Sequence, residues 1–267
     1  AWKGKTLYNL YKQAYTPWEW HDKLKKVAEE LGLVFFSTPF DETAVDFLEK
    51  LNVPIYKIAS YEATHIPLIK KVAQTGKPVI VSVGFAEISD IELVVKTLRE
   101  NGTNRIILLH CTTAYSSNPD PANTNFRTML DMKDWFGVFI GFSDNNAGIE
   151  MPLQAAMLGA CVIEKHLVES SLDKALDGDF SLDPVELKKF VQAVRSAEKA
   201  LGQVKYGFKS ESEKNNSRYQ QSIFAIKDIV VGEKFTKNNI KVIRPFLGLH
   251  SKYFEEIIGK KAKQNIE

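Results

Sequence analysis

The chain has 267 residues, enough for one large domain with or without a small one, at about 150 residues per domain. Its 35 Lys and Arg balance 33 Asp and Glu to a formal charge of +2, which excludes the strongly basic surface of a nucleic-acid-binding protein and an acidic tail. A hydrophobic share of 44% and a charged share of 25% are typical of a globular protein and exclude a disordered or fibrous one.

The sequence gives no support for a membrane protein or for a disulfide-stabilised secreted protein. The apolar runs are shorter than the ~20 residues that a membrane-spanning helix requires, and no signal-peptide pattern opens the chain. Cys111 and Cys161 are too few for a disulfide framework, and we expect them to be small hydrophobes in a cytoplasmic protein.

The first two thirds of the chain alternate short apolar runs with helical patterns. The runs are rich in β-branched residues and lack polar alternation, as in parallel strands that are covered on both faces. Consecutive βα units of this length predict either a TIM-type (β/α) barrel or a doubly wound sheet. The six predicted strands are Val34 to Phe36, Ile55 to Ile58, Val79 to Val83, Arg105 to Leu109, Val138 to Ile140 and Cys161 to Ile163.

The ends of the intervening helices carry recognisable signals. Thr16 and Pro17 predict an N-cap and a first helical position, and Gly32 predicts the end of that helix. Ser89 predicts the N-cap of a later helix, and Asp183 before Pro184 predicts the start of another.

The sequence changes character after residue 204. We expect 1–204 to form the (β/α) domain and the polar stretch 205–217 to be a linker. Residues 218–267 predict a small β-rich module, with strands at Ser222 to Ala225 and Ile240 to Arg244. The sequence leaves open whether this module continues past Glu267.

Polar and ionisable residues follow every predicted strand. In a (β/α) barrel the carboxyl ends of the strands form the active site. Hydroxyls and lysine offer hydrogen bonds to phosphate or carboxylate oxygens, and histidine can bind a metal or transfer a proton. The pattern therefore predicts a site for a small anionic substrate, built from Ser37, Thr38, Lys57, Ser60, Glu62, Ser82, His110, Thr112, Thr113, Tyr115, Ser143, Asp144, Asn145, Glu164, Lys165 and His166.

Several of these residues also have a structural interpretation. Lys57 is equally compatible with a lysine that extends from a sheet edge to solvent, and His110 with a core histidine. Glu164 and Lys165 are compatible with a surface ion pair, and Tyr115 with a turn. His21 and His65 lie at predicted helix starts, where we expect solvated or capping side chains. The chain has no Gly-x-Gly-x-x-Gly, Walker or Cys-x-x-Cys motif, which weakens nucleotide-binding and structural-zinc hypotheses.

Read in order, the motifs resemble those of the sialic acid synthase family over essentially the whole chain. They are Lys57-Ile58-Ala59-Ser60-Tyr61-Glu62, Gly76 to Gly84, Leu109-His110-Cys111-Thr112 with Tyr115, Gly141-Phe142-Ser143-Asp144 and Ile163-Glu164-Lys165-His166. The segment 227–245 resembles the family's C-terminal antifreeze-like (SAF) domain. Within the family, the segments 16–21 and 244–250 are most similar to those of pseudaminic acid synthases.

The resemblance implies a fold, a reaction and a set of site residues. The fold is a TIM-type barrel followed by the SAF domain, in a cytoplasmic homodimer that exchanges SAF domains. The reaction condenses phosphoenolpyruvate with the aldehyde of an N-acetylated amino sugar and releases phosphate, with Mn²⁺ or Mg²⁺ as Lewis acid. By motif, the residues that contact phosphoenolpyruvate are Thr38, Lys57, Ser60, Ser82, Thr113 and Ser143. The residues that contact the sugar or assist proton transfer are Glu62, Tyr115 and Asp177. The resemblance further implies that His166 binds the metal and that Arg244 reaches the N-acetyl group of the sugar.

The sequence departs from the family pattern in two places. Asn145 stands where the family has a second metal-binding histidine, so we expect weakened or altered metal dependence. The family's barrel has eight strands and the sequence predicts six, and the chain begins at Ala1 instead of Met. We therefore expect that the first two βα units were left out of this chain, that the fold is rearranged, or that a partner covers the gap.

Two alternatives to this function stay open. One is a synthase for neuraminic or legionaminic acid, or a spore-coat polysaccharide enzyme. The other is a non-catalytic paralogue that retains the fold, which Asn145 and the missing front would both favour.

Overall fold

The structure is a computed structural model that describes residues 4, 6–170, 175 and 177–267. It divides into two compact units, residues 1–201 and 202–267. Within the described residues, no helix combines the length and the apolar character needed to cross a membrane.

The first unit is built on a parallel sheet of five strands. The strands are β1 (Tyr56–Ile58), β2 (Val79–Ser82), β3 (Ile106–Thr112), β4 (Phe139–Asp144) and β5 (Val162–Lys165). Each strand pairs in parallel with the next, in the order β1-β2-β3-β4-β5. This winding in one direction is that of a TIM-type barrel, since a doubly wound sheet reverses its strand order at a switch point. The sequence prediction of a barrel-type (β/α) fold is confirmed.

Helices connect and flank the strands. They are α1 (Leu7–Ala14), α2 (His21–Glu30), α3 (Glu42–Lys50), α4 (Ile66–Ala73), α5 (Ile88–Asn101), α6 (Phe126–Phe136), α7 (Glu150–Met157) and α8 (Pro184–Leu201). The prediction for the start of α8 is confirmed, because the backbone N–H of Glu186 donates to Asp183 Oδ1. Gly32 follows α2 with φ of +71°, the left-handed conformation expected after a helix end.

Two helix starts differ from the sequence prediction. A 3₁₀ turn at Trp18–Trp20 precedes α2, and its N-cap is Pro17 instead of Thr16. In α5 the N-cap is Glu87, which forms a reciprocal capping box with Asp90. Ser89 therefore lies inside the first turn, because the longer Glu87 side chain reaches the N–H groups that serine was expected to satisfy.

The prediction of a strand at Val34 to Phe36 is wrong. This segment forms no ladder with β1 in the described part of the chain, and Val34 is 69% exposed. A parallel strand needs a hydrogen-bonded neighbour and burial on both faces, and apolar composition supplies neither. Among the described residues the sheet therefore has five strands, where six were predicted.

The two faces of the sheet have different roles because successive strand residues point to opposite sides. Tyr56, Ile58, Val79, Val81 and Leu108 belong to the main hydrophobic core, which they share with residues of α3 to α7. The alternate residues point to the other face. That face carries the polar side chains of the candidate site.

The second unit contains a small antiparallel sheet. Its strands are β6 (Ser222–Ala225), β7 (Ile240–Ile243) and β8 (Leu249–His250), with β6 in the centre. The predicted strands at 222–225 and 240–244 are confirmed, and β8 was not predicted. Short helices α9 (Glu211–Asn216) and α10 (Phe254–Ile257) complete the unit. Its core is small and contains Ile223, Ile229, Ile240 and Ala262.

Candidate active site

A pocket of about 210 Å³ lies at the carboxyl ends of the strands. Of the twelve residues that the family resemblance places at the site, eight line this pocket: Thr38, Lys57, Ser60, Ser82, Tyr115, Ser143, Asn145 and His166. Glu62, Thr113 and Asp177 of the same unit do not line it. The other lining residues are Glu164, which the strand-end pattern predicted, and Phe40, Ala59, Tyr61 and Cys111. The pocket is smaller than the ~300–1,000 Å³ of typical ligand sites, which suits a ligand with few heavy atoms.

Lys57 is the buried cation of this pocket. It is 4% exposed, and its Nζ donates to the carbonyl of Ile58 at 3.1 Å and lies 3.3 Å from Glu164 Oε2. A lysine this deep is rare without a partner. The alternative of a lysine that extends from the sheet edge to solvent is therefore excluded.

Strand register explains why Glu164 reaches the same place. Ser143 of β4 lies opposite Cys111 of β3 on one side and Glu164 of β5 on the other. All three side chains point to the pocket face. Ser143 Oγ donates to Glu164 Oε1 at 2.7 Å, so that carboxylate joins the serine to Lys57.

The next row along the strands points to the opposite face. Asp144 lies opposite Lys165, and Lys165 Nζ donates to Asp144 Oδ2 at 2.8 Å, with both side chains at least 95% buried. Lys165 Nζ also donates to the carbonyl of Asn146. The surface pair considered for Glu164 and Lys165 is wrong, because neighbours on a strand point to opposite faces and each residue has a different partner.

Two buried oxygens have no hydrogen-bond partner among the described residues. They are Ser82 Oγ and Glu62 Oε2. Buried polar atoms are almost always paired, so Ser82 Oγ, which lines the pocket, indicates a ligand that supplies the missing partner. Burial raises the pKa of the Glu62 carboxyl, with a smaller opposing effect of Lys57.

Ser60 is held in place by the backbone that follows β2. The N–H of Gly84 donates to Ser60 Oγ at 3.1 Å. A Cβ at Gly84 would come within 2.6 Å of Thr113 Cγ2 and 3.1 Å of Ser60 Oγ. Thr113 thus packs behind Gly84 and does not line the pocket, unlike the predicted phosphoenolpyruvate residues around it.

His166 and Asn145 are adjacent in the pocket wall. His166 Nε2 lies 3.2 Å from Asn145 Oδ1, and His166 Nδ1 lies 3.6 Å from Asp177 Oδ2. An acidic partner on one ring nitrogen orients the other toward a ligand. Asp177 does not line the pocket, so the structure places it behind His166.

Asn145 Oδ1 and His166 Nε2 have the spacing of two ligands of a hard divalent cation. Oxygen and nitrogen ligands about 2.1 Å from a common ion are separated by about 3 Å, which matches the spacing of Asn145 Oδ1 and His166 Nε2. The described residues contain no group of three His, Cys, Asp or Glu placed for a metal. The pair therefore suits an ion that keeps water or substrate oxygens as its other ligands, as Mg²⁺ does.

Tyr115 closes one side of the pocket. Its ring contacts His166 and Phe180 edge to face, at centroid distances of 6.1 and 5.5 Å. Its φ of +49° is uncommon outside glycine. Burial raises the pKa of the Tyr115 hydroxyl to about 12, so the hydroxyl stays protonated at neutral pH and can donate a hydrogen bond.

Three other histidines that the sequence analysis considered do not line the pocket. His110 points to the core face of β3, where its Nε2 is 2.5 Å from the carbonyl of Thr124 and burial lowers its pKa; the core interpretation is the right one. His65 is exposed as predicted, whereas the prediction of a solvated or capping His21 is wrong. His21 is 5% exposed, and its Nε2 lies 3.3 Å from Ser37 Oγ.

The remaining predicted residues are Arg244 and the cysteines. Arg244 follows β7 in the second unit and is exposed. Cys111 is buried and lines the pocket, whereas Cys161 is exposed. The sequence predicted no contact partner for Cys111 or Glu164. Their positions at the ends of strands were the only feature of the sequence that pointed to the pocket.

Comparison with known proteins decides the family. The NeuB family matches residues 1–206, and the SAF domain matches residues 220–267. The chain belongs to the NeuB family. It is 40% identical to a pseudaminic acid synthase of Helicobacter pylori over 98% of the chain and 77% of that protein.

Other similar proteins are named for different acid products. The chain is 41% identical to an N,N'-diacetyllegionaminic acid synthase of Campylobacter jejuni over 92% of the chain and 73% of that protein. It superposes with a TM-score of 0.72 on the crystal structure of an N-acetylneuraminic acid synthetase from Leptospira borgpetersenii, determined with citrate. That match has 31% identity and covers 80% of this chain and 75% of the other. The recognition from sequence motifs is confirmed at the level of the family.

Proposed function

We propose that this NeuB-family chain is a nonulosonic acid synthase of the pseudaminic acid type, which condenses phosphoenolpyruvate with an N-acetylated amino-sugar aldehyde. A carbon–carbon bond forms between the methylene carbon of phosphoenolpyruvate and the aldehyde carbon. Water is consumed, and phosphate leaves. The proposal rests on one observation: the buried Lys57 and the unpaired Ser82 Oγ line the same pocket.

The pocket's donors support an anionic ligand. Lys57 is a buried cation whose charge Glu164 partly balances, and a phosphate or carboxylate would gain charge-assisted hydrogen bonds from it. Ser60, Ser143 and Thr38 surround it with hydroxyls. We propose that these residues and Ser82 hold phosphoenolpyruvate, and that Thr113 supports Ser60 through Gly84.

We assign proton handling and sugar contacts to four residues, of which only Tyr115 lines the pocket as described; the others are Glu62, Asp177 and Arg244. The raised pKa of Glu62 makes its carboxyl a better proton donor near neutral pH than an ordinary glutamate. Tyr115 donates a hydrogen bond, and Asp177 orients His166. Arg244, of the SAF domain, is proposed to contact the N-acetyl group.

A divalent cation, Mn²⁺ or Mg²⁺, would be held by His166 and Asn145. When bound, it supplies Lewis-acid polarisation of the aldehyde oxygen. The amide of Asn145 is a weaker ligand than imidazole for softer metals, so we expect weaker Mn²⁺ binding than a pair of histidines would give.

The proposal extends to organisation. We propose a catalytic domain over 1–204, a linker at 205–217 and an SAF domain over 218–267, in a cytoplasmic homodimer that exchanges SAF domains. The match of the SAF family to residues 220–267 supports the last boundary.

The decisive experiment measures phosphate release from phosphoenolpyruvate with a panel of N-acetylated amino sugars, with added Mn²⁺. We expect release with one or a few sugars and none without sugar. Release with a different amino sugar would assign the neuraminate, legionaminate or spore-coat alternative. No release with any sugar from the folded protein would overturn the enzyme in favour of a non-catalytic paralogue.

A further inference from the structure

The orientation of the Asn145 amide decides whether this residue can bind a cation. An asparagine side chain carries one acceptor oxygen and one donor NH₂ group. Only the oxygen can bind a metal, and the NH₂ group would repel it. Asn145 is 6% exposed, so solvent does not set which end faces His166.

Cys111 supplies the contact that distinguishes the two ends. Asn145 Nδ2 donates to Cys111 Sγ at 3.3 Å, while Oδ1 faces His166 Nε2 at 3.2 Å. The thiol proton is engaged elsewhere, because Ser143 also hydrogen-bonds the Cys111 side chain and, having donated its own proton to Glu164, accepts from the S–H. A flipped amide would therefore place its oxygen against the sulfur lone pairs and its NH₂ group against the metal ligand. The thiol contact therefore favours the orientation that can bind metal.

Strand pairing fixes this contact. Cys111 lies directly opposite Ser143 in the β3–β4 ladder, and Asn145 is two residues further on, on the same face. Diagonal neighbours of this kind are within reach of each other's side chains. Cys111 is itself only 7% exposed.

The residues after β4 are anchored from the opposite face as well. Asp144 accepts from the buried Lys165 at 2.8 Å and from the N–H of Asn146 at 3.2 Å. Asn146 Nδ2 donates to Thr112 Oγ1 at 2.9 Å. With its backbone fixed on both sides, the remaining freedom of Asn145 is the rotation of its amide.

We propose that Cys111 is a positioning residue that orients the Asn145 amide oxygen toward the cation. This inference rests on the proposed function, because it assigns the cation to Asn145 and His166. Cys111 touches neither the cation nor the reacting atoms in this assignment. Its sulfur acts through the hydrogen bond that it accepts.

The test compares Cys111→Val, which keeps a similar volume but has no acceptor, with Cys111→Ser, which keeps one. The readout is the Kd for Mn²⁺, measured by the electron paramagnetic resonance of free Mn²⁺ on the intact protein without substrates. We expect Cys111→Val to raise this Kd about five-fold, equivalent to about 1 kcal/mol. Cys111→Ser should stay within about two-fold of the unmodified protein, since its hydroxyl accepts the same bond.

Two controls separate positioning from a general packing effect. Cys161→Val changes the exposed cysteine and should leave the Kd unchanged. In an Asn145→Ala background, Cys111→Val should cause no further loss, because the amide that it orients is gone. Thermal unfolding of each variant shows whether the fold is retained.

The outcomes distinguish this inference from the proposed function. An unchanged Kd in Cys111→Val, or an equal loss in the Asn145→Ala background, would overturn the positioning role while leaving phosphate release as evidence for the synthase. If the unmodified protein binds no Mn²⁺ yet releases phosphate, the positioning role is wrong and the synthase stands. If it neither binds Mn²⁺ nor releases phosphate, both are wrong.

Discussion

Replacement of Lys57 by methionine separates its role in stability from its role in binding. Methionine keeps the length of the apolar stem and removes the charge. At 3.3 Å and an effective dielectric constant of about 20, the attraction between Lys57 and Glu164 is about 5 kcal/mol. The cost of burying the lysine is also several kcal/mol, so these two terms largely cancel.

The stability change should therefore be small. Removal of one partner of a buried pair usually costs about 3–5 kcal/mol because the other charge is left without compensation. Here the Glu164 side chain is 41% exposed, and water can solvate it. We expect Lys57→Met to change the free energy of unfolding by less than about 2 kcal/mol, measured by urea denaturation.

The effect on substrate binding should be larger. A hydrogen bond to a charged group contributes about 1.5–3 kcal/mol, so loss of Lys57 should raise the KM for phosphoenolpyruvate by about 10- to 150-fold. Initial rates of phosphate release against phosphoenolpyruvate concentration give this value. The KM for the sugar should change much less.

Lys71→Met is the matched control. Lys71 lies 2.7 Å from Asp46, but in an exposed pair on the surface, which is worth about 0–1 kcal/mol. It should leave both KM values unchanged. A Lys57→Met protein that binds phosphoenolpyruvate as well as the Lys71→Met control does would refute the role of Lys57 as the anion ligand.

Three further predictions concern neighbouring residues. Ser82→Ala removes an unpaired buried hydroxyl, so it should raise the free energy of unfolding by about 1 kcal/mol. It should also raise the KM for phosphoenolpyruvate. A loss of stability would show that Ser82 Oγ has a hydrogen-bond partner in the folded protein. Glu62 has a raised pKa in the folded protein, so the folded state binds more protons and stability falls as pH rises from the ordinary glutamate value. Glu62→Gln should therefore stabilise the protein more at pH 7 than at pH 4 in thermal unfolding, and an equal effect at both would refute this. Gly84→Ala should cost about 1–3 kcal/mol and lower kcat/KM, because its Cβ would meet Thr113 and Ser60; unchanged urea denaturation would show that the contact relaxes.

The sequence predicted the parts of this protein that depend on local pattern. Apolar runs located all five strands of the sheet, because buried parallel strands need such runs. Lys57 lies one residue before the end of its strand, Ser82 at the end and His166 directly after the end. These positions placed them at one edge, because parallel strands end on the same side. The motifs at those ends identified the family.

Tertiary structure decided what depends on pairing and on alternation. The segment 34–36 is apolar but pairs with no strand in the described part of the chain. Apolar composition does not show whether a segment has a hydrogen-bonded neighbouring strand. Glu164 and Lys165 look like one surface pair in the sequence, yet the β5 strand sends them to opposite faces. Cys111 contacts Asn145 only because the β3–β4 register places them diagonally. Side-chain chemistry can be read from the sequence, but register and face determine which groups meet.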